Sequence, residues 1–501
     1  MKKITALLMM AVMLVSLFAG CGKSAQKNNE KPENTSEKTT EVAKNTESAK
    51  VEKIKIWVPT SGKYDDIDAV MEKVNEITRA KIGVEVEFCP LQFGQWFGQY
   101  SLLLSGTEDV DIMANYGGYL NAYSQGACLD LTDLLNEYGQ DIIATEGEYL
   151  KGGMIDGRQY AIPIYAAYAW NMGLIYRQDV VDELGLTDQV ANVKTLEDWE
   201  PILAAVKEAK PDMTPYVMNT GATASNFQYG TWDDLGNNYG VLLDGGKTSE
   251  VVNLFESDEY ARLCKIMYDW NQKGYSSKDI QTQTDGFGTL TQNDAAFSTL
   301  GQTDFNTKFY QTTSIGKPIG IVMLGDAVGR TYNNVTYTVM SNTKHPEACM
   351  KFLNLWFSDI ELGNLIKYGI EGTHYVVNGD GMAEYLEGQD ANSCTYHLGA
   401  SVSNTVAIRW VTENPDYVKL LNDANSSARR SVALGFAFNT DSVTNEITQL
   451  DNVRAKYQTG LETGVMDPDQ YLPEFNKALK DAGIDKVIAE KQAQLDAYLG
   501  K

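Results

Sequence analysis

The chain has 501 residues, with 42 Lys and Arg against 67 Asp and Glu, for a net charge of -25 at pH 7. That acidity argues against nucleic acid and polyanionic ligands, both of which are drawn to basic faces. A chain this long exceeds what one hydrophobic core fills, so at least two domains are expected.

The N-terminus reads as a secretion signal: Lys2 and Lys3, an apolar run from Ile4 to Phe18 broken only by Thr5 and Ser16, then Ala19-Gly20-Cys21. The run is shorter than the roughly 20 residues a spanning helix needs, and small residues stand where a signal peptidase cuts. Leu17-Phe18-Ala19-Gly20-Cys21 resembles the bacterial lipobox, which implies lipidation of Cys21 and a membrane anchor, although Phe18 replaces the usual aliphatic residue. Gly22 to Lys50 is rich in Ser, Thr, Asn, Gln, Lys and Glu and cannot form a core, so it reads as a solvated tether.

From Val51 onward the periodicity alternates between strand and helix. Ile54, Ile56 and Val58 mark a strand, and Ile67, Val70, Met71, Val74 and Ile77 mark the apolar stripe of a helix. Val84, Val86 and Phe88 predict a second strand, Phe93 to Leu104 a helix that places Trp96 and Phe97 in a core, and Val110 to Ala114 a third strand. Strand, helix, strand implies a parallel sheet. The pattern continues through the helix Leu131 to Tyr138 and the strand Tyr160 to Ile164.

A second unit begins near Leu174 to Tyr176 and includes helices over Leu196 to Ala209 and Tyr260 to Lys273, with the run Ile319 to Met323 closing it. Thr336 to Met340 then predicts a strand, and Glu347 to Phe357 a helix, that return to the first sheet. From Asn414 the chain is mostly helical: Asp467-Pro468 is a cap and first-turn pair, and Ile484, Val487, Ile488, Leu495, Tyr498 and Leu499 form one stripe. Besides Cys21, the cysteines Cys89, Cys128, Cys264, Cys349 and Cys394 are odd in number and widely spaced, which suits buried thiols better than a disulfide framework.

Several strings resemble the extracellular solute-binding proteins of carbohydrate ABC importers, the maltose-binding-protein-like family 1. They are Asp111-Ile112-Met113-Ala114-Asn115-Tyr116 with Gly126-Ala127-Cys128-Leu129-Asp130-Leu131, and Tyr160-Ala161-Ile162-Pro163-Ile164 leading to Leu174-Ile175-Tyr176-Arg177. Asp294-Ala295-Ala296-Phe297 and Asn342-Thr343-Lys344-His345-Pro346-Glu347-Ala348 add to the likeness. Tyr368-Gly369-Ile370-Glu371-Gly372-Thr373-His374-Tyr375, Leu434-Gly435-Phe436 and Leu472-Pro473-Glu474-Phe475 are similar to a subfamily with an extended helical C-terminal domain.

The resemblance implies a type II periplasmic-binding-protein-like α/β fold, two lobes with a hinge and central cleft, plus the helical extension. Its expected domains are a signal peptide (1–20), the lipidated cysteine and tether (21–50), the first part of lobe 1 (51–165) and lobe 2 (166–330). A return to lobe 1 (331–370) and a C-terminal helical region packing on lobe 2 and the hinge (371–501) complete the chain. It further implies delivery of a small solute to ABC permease subunits by a monomer anchored through its N-terminal lipid, with no cofactor.

In an open α/β sheet a ligand lies beyond the carboxyl ends of the strands. The loops there carry aromatic rings that suit the C–H faces of sugars, and amides and carboxylates that suit their hydroxyls. The candidate ligand-binding residues are Asn115, Tyr116, Tyr168, Trp170, Thr220, Gln302, Asp304, Glu371 and Tyr375. Asp304 and Glu371 also fit structural caps. The histidines His345, His374 and His397 do not pair at metal-ligand spacing, and no nucleophile elbow or phosphate loop occurs. Asn378-Gly379-Asp380-Gly381 reads as a tight turn and not a calcium loop. A lipid-anchored glycan hydrolase, or a binder of peptides or polar metabolites, are the alternatives. The hinge is expected near Tyr165 to Trp170, Arg330 to Thr336 and Tyr368 to Gly372.

Overall fold

The computed structural model describes residues 51–218, 227, 230–277, 280–281, 283, 285–330 and 335–501. The signal, Cys21, the tether and Thr220 lie outside them. Lys50–Lys501 forms one compact unit.

The first lobe is built on a five-stranded sheet in the order Val84–Gln92, Glu52–Thr60, Ile112–Tyr116, Val335–Val339, Ile162–Pro163. Alternation drives its assembly: Ile54, Ile56 and Val58 turn inward and are almost wholly buried. Glu52–Thr60 runs parallel to both neighbours, as strand-helix-strand succession demands. The helix Ile67–Ile82 buries Val70, Met71 and Val74 against it and ends at Gly83, whose φ of 70° gives the left-handed close. Val335–Val339 returns antiparallel to Ile112–Tyr116, with Val335 opposite Tyr116 and Thr336 opposite Asn115.

The second lobe holds a six-stranded sheet. Its spine is the long strand Ala169–Arg177, flanked antiparallel by Ala296–Thr303 on one side and by Ile319–Met323 and Val328–Gly329 on the other. Thr214–Tyr216 lies outside Ala296–Thr303 and parallel to it. Arg177 ties this sheet to the Asp294 turn, its guanidinium 2.8 Å from the Asp294 carboxylate, which also receives Lys317 at 2.8 Å.

The C-terminal chain serves both lobes. Tyr396, Leu398, Val402, Val406 and Leu421 complete the first core, whereas Leu450, Leu461, Phe475, Leu479, Ile484, Val487 and Leu495 complete the second. The expectation that all of 371–501 packs on lobe 2 and the hinge therefore describes its later part only. Residues 395–404 lie along lobe 1 because their backbone pairs with it: His397 N donates to Lys63 O, Tyr165 N to Val402 O, and Asn404 N to Tyr165 O. Helices Thr444–Glu462, Pro468–Asp481 and Ile484–Tyr498 close lobe 2, and Asp467 caps the second by accepting from Asp469 N.

Trp96 is fully buried, but Phe97 on the next position of the helix Phe93–Leu104 is 65% exposed and is not core. Asn378 to Gly381 does form a turn, with Gly381 N donating to Asn378 O. Cys128, Cys264, Cys349 and Cys394 are buried free thiols, and Cys89 is half-buried. Among the described residues no helix is long and apolar enough to cross a membrane.

Candidate functional site

The carboxyl ends of the first sheet set one rim. Glu52–Thr60 ends in a loop fastened by Thr60, whose hydroxyl donates to Leu398 O at 2.8 Å and accepts from Gly62 N at 2.8 Å. Gly62 is required there: a Cβ would lie 1.8 Å from the His397 carbonyl oxygen. Asn115 at the end of Ile112–Tyr116 is fully buried. Its oxygen accepts from Tyr100 Oη at 2.7 Å, and its amide nitrogen reaches the Thr336 and Thr338 hydroxyls at 3.3 and 3.2 Å. It braces the return strand beneath the rim. Tyr116 follows, half-buried, edge-on to Phe93 at 5.0 Å.

The first crossover runs from Tyr165 to Trp170. Tyr168 is fully buried and stacks on Tyr149 at 4.1 Å, and its hydroxyl lies 2.6 Å from Glu146 Oε2 and 2.8 Å from Ile164 O. Burial without a cation pushes the Glu146 carboxyl up to about 8, with the Tyr168 hydroxyl pulling the other way. Asn425 clasps the crossover backbone, accepting from Tyr168 N at 3.0 Å and donating to Ala166 O at 2.8 Å. Tyr168 thus supports the crossover, while half-buried Trp170 stands at the head of the second sheet with the Arg330 guanidinium 4.1 Å from its ring.

On the second lobe, Gln302 is half-buried opposite Met172. Asp304 follows the same strand and closes the turn before the helix Thr307–Ile315, its Oδ1 accepting from Asn306 N at 2.9 Å and Thr307 Oγ1 at 2.8 Å; the helix's N-cap is Asn306, without a side-chain cap bond, so the expected cap role of Asp304 is not met. The same loop reaches the C-terminal chain: Phe305 meets Tyr417 at 5.4 Å, and Asn306 accepts from Asn414 at 3.3 Å.

Glu371 and Tyr375 stand elsewhere. Glu371 is exposed in a turn closed by Gly372 N donating to Tyr375 O at 2.7 Å, and Tyr375 is 4% exposed beside Tyr368. Sequence reasoning missed the cluster around them. Tyr368, Tyr385, His397 and Trp410 pack together, Trp410 lying edge-on to Tyr385 at 4.7 Å and to His397 at 4.9 Å and tilted against Tyr368 at 5.2 Å. Burial and the nearby Lys367 pull the His397 imidazole down to about 4. Glu413 anchors this cluster: burial raises its carboxyl, but Lys367 at 3.8 Å and Arg409 at 2.6 Å outweigh it and hold it low. The adjacent Arg409-Trp410 pair was the only local hint, because 385–410 has no helical or strand period.

The chemistry available is recognition by rings, amides and hydroxyls. No group of three or more His, Cys, Asp or Glu residues able to hold a metal occurs among the described residues. Cavities of 370 Å³ beside Tyr176 and Val190, and of 280 Å³ beside Lys55 and His345, lie away from these loops. The second is at the opposite end of the first sheet.

Residues 72–367 match the family described as Bacterial extracellular solute-binding protein. The chain belongs to that family. Residues 432–500 match a domain of unknown function, DUF3502. A carbohydrate ABC transporter substrate-binding protein of Streptococcus pneumoniae is 29% identical over 450 residues, 87% of this chain and 89% of that protein. The crystal structure of the N-glycan transport solute binding protein NgtS of the same organism superposes with a TM-score of 0.77 at 26% identity, covering 90% of this chain and 99% of that one. NgtS in complex with Man1GlcNAc superposes at 0.68, covering 90% and 100%, and with Man5GlcNAc at 0.64, covering 90% and 99%. As an extracellular solute-binding protein the chain is a transport protein and not an enzyme.

Proposed function

We propose that this solute-binding protein captures an oligosaccharide between its lobes and hands it to the permease of a carbohydrate ABC importer. The observation that carries the reading is the placing of Trp170, a half-buried ring backed by Arg330 where the chain enters lobe 2, in a chain similar to NgtS over nearly its whole length. Tyr116 and Phe93 on lobe 1 and Gln302 and Asp304 on lobe 2 offer a ring pair and hydroxyl partners on either side. Asp304 spends Oδ1 on the turn before Thr307 and keeps Oδ2 for a sugar hydroxyl.

Capture proceeds by hinge closure. The likeness to NgtS in complex with Man1GlcNAc and with Man5GlcNAc, at TM-scores of 0.68 and 0.64 over 90% of this chain, supports a glycan as the solute. The lipid on Cys21 and the tether keep the lobes at the extracytoplasmic face of the membrane. The strand order and the lobe crossings also support the maltose-binding-protein-like reading.

A thermal-shift screen with mono- and oligosaccharides, Man5GlcNAc among them, and with peptides and polar metabolites tests the ligand class, since a ligand bound only by the fold raises its melting temperature. Stabilisation by an oligosaccharide, with a smaller radius of gyration in solution scattering, is the expected result. Stabilisation by a peptide alone would reject it, and release of free sugar from the stabilising glycan would return a hydrolase.

A further inference from the structure

Lys491 lies on the C-terminal helix Ile484–Tyr498 and is fully buried. A lone ammonium is not buried without strong compensation, and here one turn of lobe 2 supplies it. Lys491 Nζ lies 2.9 Å from Gly240 O, 2.9 Å from Asn237 Oδ1, 3.0 Å from Asn237 O and 3.4 Å from Asp234 O. The Phe438 ring closes the remaining side at 4.9 Å. Burial pulls the amine down to about 7, with the Asp234 and Asp233 carboxylates opposing. All four contacts are acceptors, and only a charged amine can donate to them without turning a lone pair toward an oxygen.

The turn owes its shape to this convergence. Leu235, Gly236 and Gly240 have φ of 51°, 91° and 103°, and the carbonyls of Asp234, Asn237 and Gly240 face the ammonium. Asp233, Asp234 and Asn237 each accept from the amide two residues on, and none of these bonds neutralises the inward carbonyls. Without a cation the oxygens would repel one another.

The same turn reaches the ligand face. Asp233 and Leu242 exchange backbone bonds at 2.9 Å and lead the turn into Gly246, whose carbonyl accepts from Val432 N at 2.9 Å, while Ser431 N donates to Gly329 O at 2.9 Å on the strand Val328–Gly329 that pairs with Ala169 and Trp170. Arg330 is 5% exposed, backs the Trp170 ring, and donates Nη1 to Trp170 O at 3.2 Å. Among the described residues its buried Nε and Nη2 have no hydrogen-bond partner. Burial lowers the Arg330 pKa, with Asp233 and Asp234 opposing, and burial also raises the Asp233 carboxyl.

We propose that Lys491 is a positioning residue for the glycan site, a built-in cation that organises the Asp233–Gly240 turn and, through the backbone bonds that tie this turn to Ser431 and Gly329, holds the strand that sets Arg330 beneath Trp170. The proposal rests on the reading of Trp170 as a ligand platform, and it gives the segment matched to DUF3502 a task in recognition.

The full mature chain is compared with its Lys491→Met, Lys491→Ala, Lys491→Arg and Trp170→Ala variants, by hydrogen exchange and by calorimetric titration with Man5GlcNAc. Lys491→Met should speed exchange both in 234–241 and, remotely, in 168–171 and 328–330, and should weaken glycan binding about tenfold. Lys491→Arg should retain more of both. Methylammonium chloride should restore protection in Lys491→Ala where equal sodium chloride does not. If Lys491→Ala is recovered unfolded, refolding with methylammonium and not with sodium supports the proposal, and no difference overturns it. Faster exchange confined to 234–241 overturns it as well. Weakened binding in Trp170→Ala with wild-type binding in Lys491→Met rejects the role of Lys491 alone, and wild-type binding in Trp170→Ala rejects the platform. If the wild type does not take up Man5GlcNAc, the remote exchange decides.

Discussion

The guanidinium of Arg330 lies 4.1 Å from the Trp170 ring and donates to the Trp170 carbonyl oxygen at 3.2 Å, so one side chain fixes both the face and the backbone of its neighbour. Burial lowers the Arg330 pKa, and Asp233 and Asp234 oppose that loss of charge. A planar guanidinium stacks on a ring and an ammonium does not. Arg330→Lys is therefore expected to weaken oligosaccharide binding by roughly five- to tenfold with the fold intact, as read by titration calorimetry and circular dichroism. Unchanged affinity would separate Arg330 from recognition.

Glu146 gives the crossover a pH dependence. Its carboxyl titrates near 8 in the fold against 4.5 in the open chain. Between those values the unfolded chain has lost a proton that the fold retains, so the stability from this group is complete below pH 4.5 and is lost as pH rises through 8. Glu146→Gln should remove a loss on the order of 4 kcal/mol across that window. Denaturant titrations at pH 5 and pH 8.5 measure it, and equal slopes in the two proteins would contradict the assignment.

His397 works in the opposite sense. Its imidazole falls to about 4 from 6.5, so the unfolded chain takes up a proton first as the solution is acidified. Stability is present above pH 6.5 and is lost as pH falls through 4. His397→Gln should melt less steeply with acid than the wild type over that range, with thermal melting at each pH as the check.

Gly62→Ala tests the rim directly. The added methyl would overlap the His397 carbonyl, which is backbone and cannot swing away. The loop at Thr60 and the segment at 397–398 would part, with a cost of about 2–4 kcal/mol in the first lobe. A melting temperature within a degree of the wild type would show that the two segments separate freely.

Much of the first lobe was legible because its segments have clean periods: Ile54, Ile56 and Val58 alternate, and Val70, Met71 and Val74 recur on a helical face. That Val335–Val339 joins the first sheet leaves no local mark, since nothing in a strand's own period shows which sheet it enters. The two-residue strand Arg429–Arg430, which joins the second sheet, leaves no periodic trace. Phe97 was placed in the core because hydrophobicity marks a helix face only to within one position, and its neighbour Trp96 takes the buried one. At the site, sequence could find the rings but not their neighbours. Tyr168 and Trp170 are alike in the string Ala166 to Trp170, yet Glu146 and Tyr149, far back in the chain, engage one, and Arg330, far ahead, engages the other.

The interleaving of the lobes governs when each one can exist. A core opened by Met172 is sealed only by Leu495, and the first lobe waits for Leu434. A ribosome or translocon feeding this polypeptide out in order therefore produces no finished half along the way.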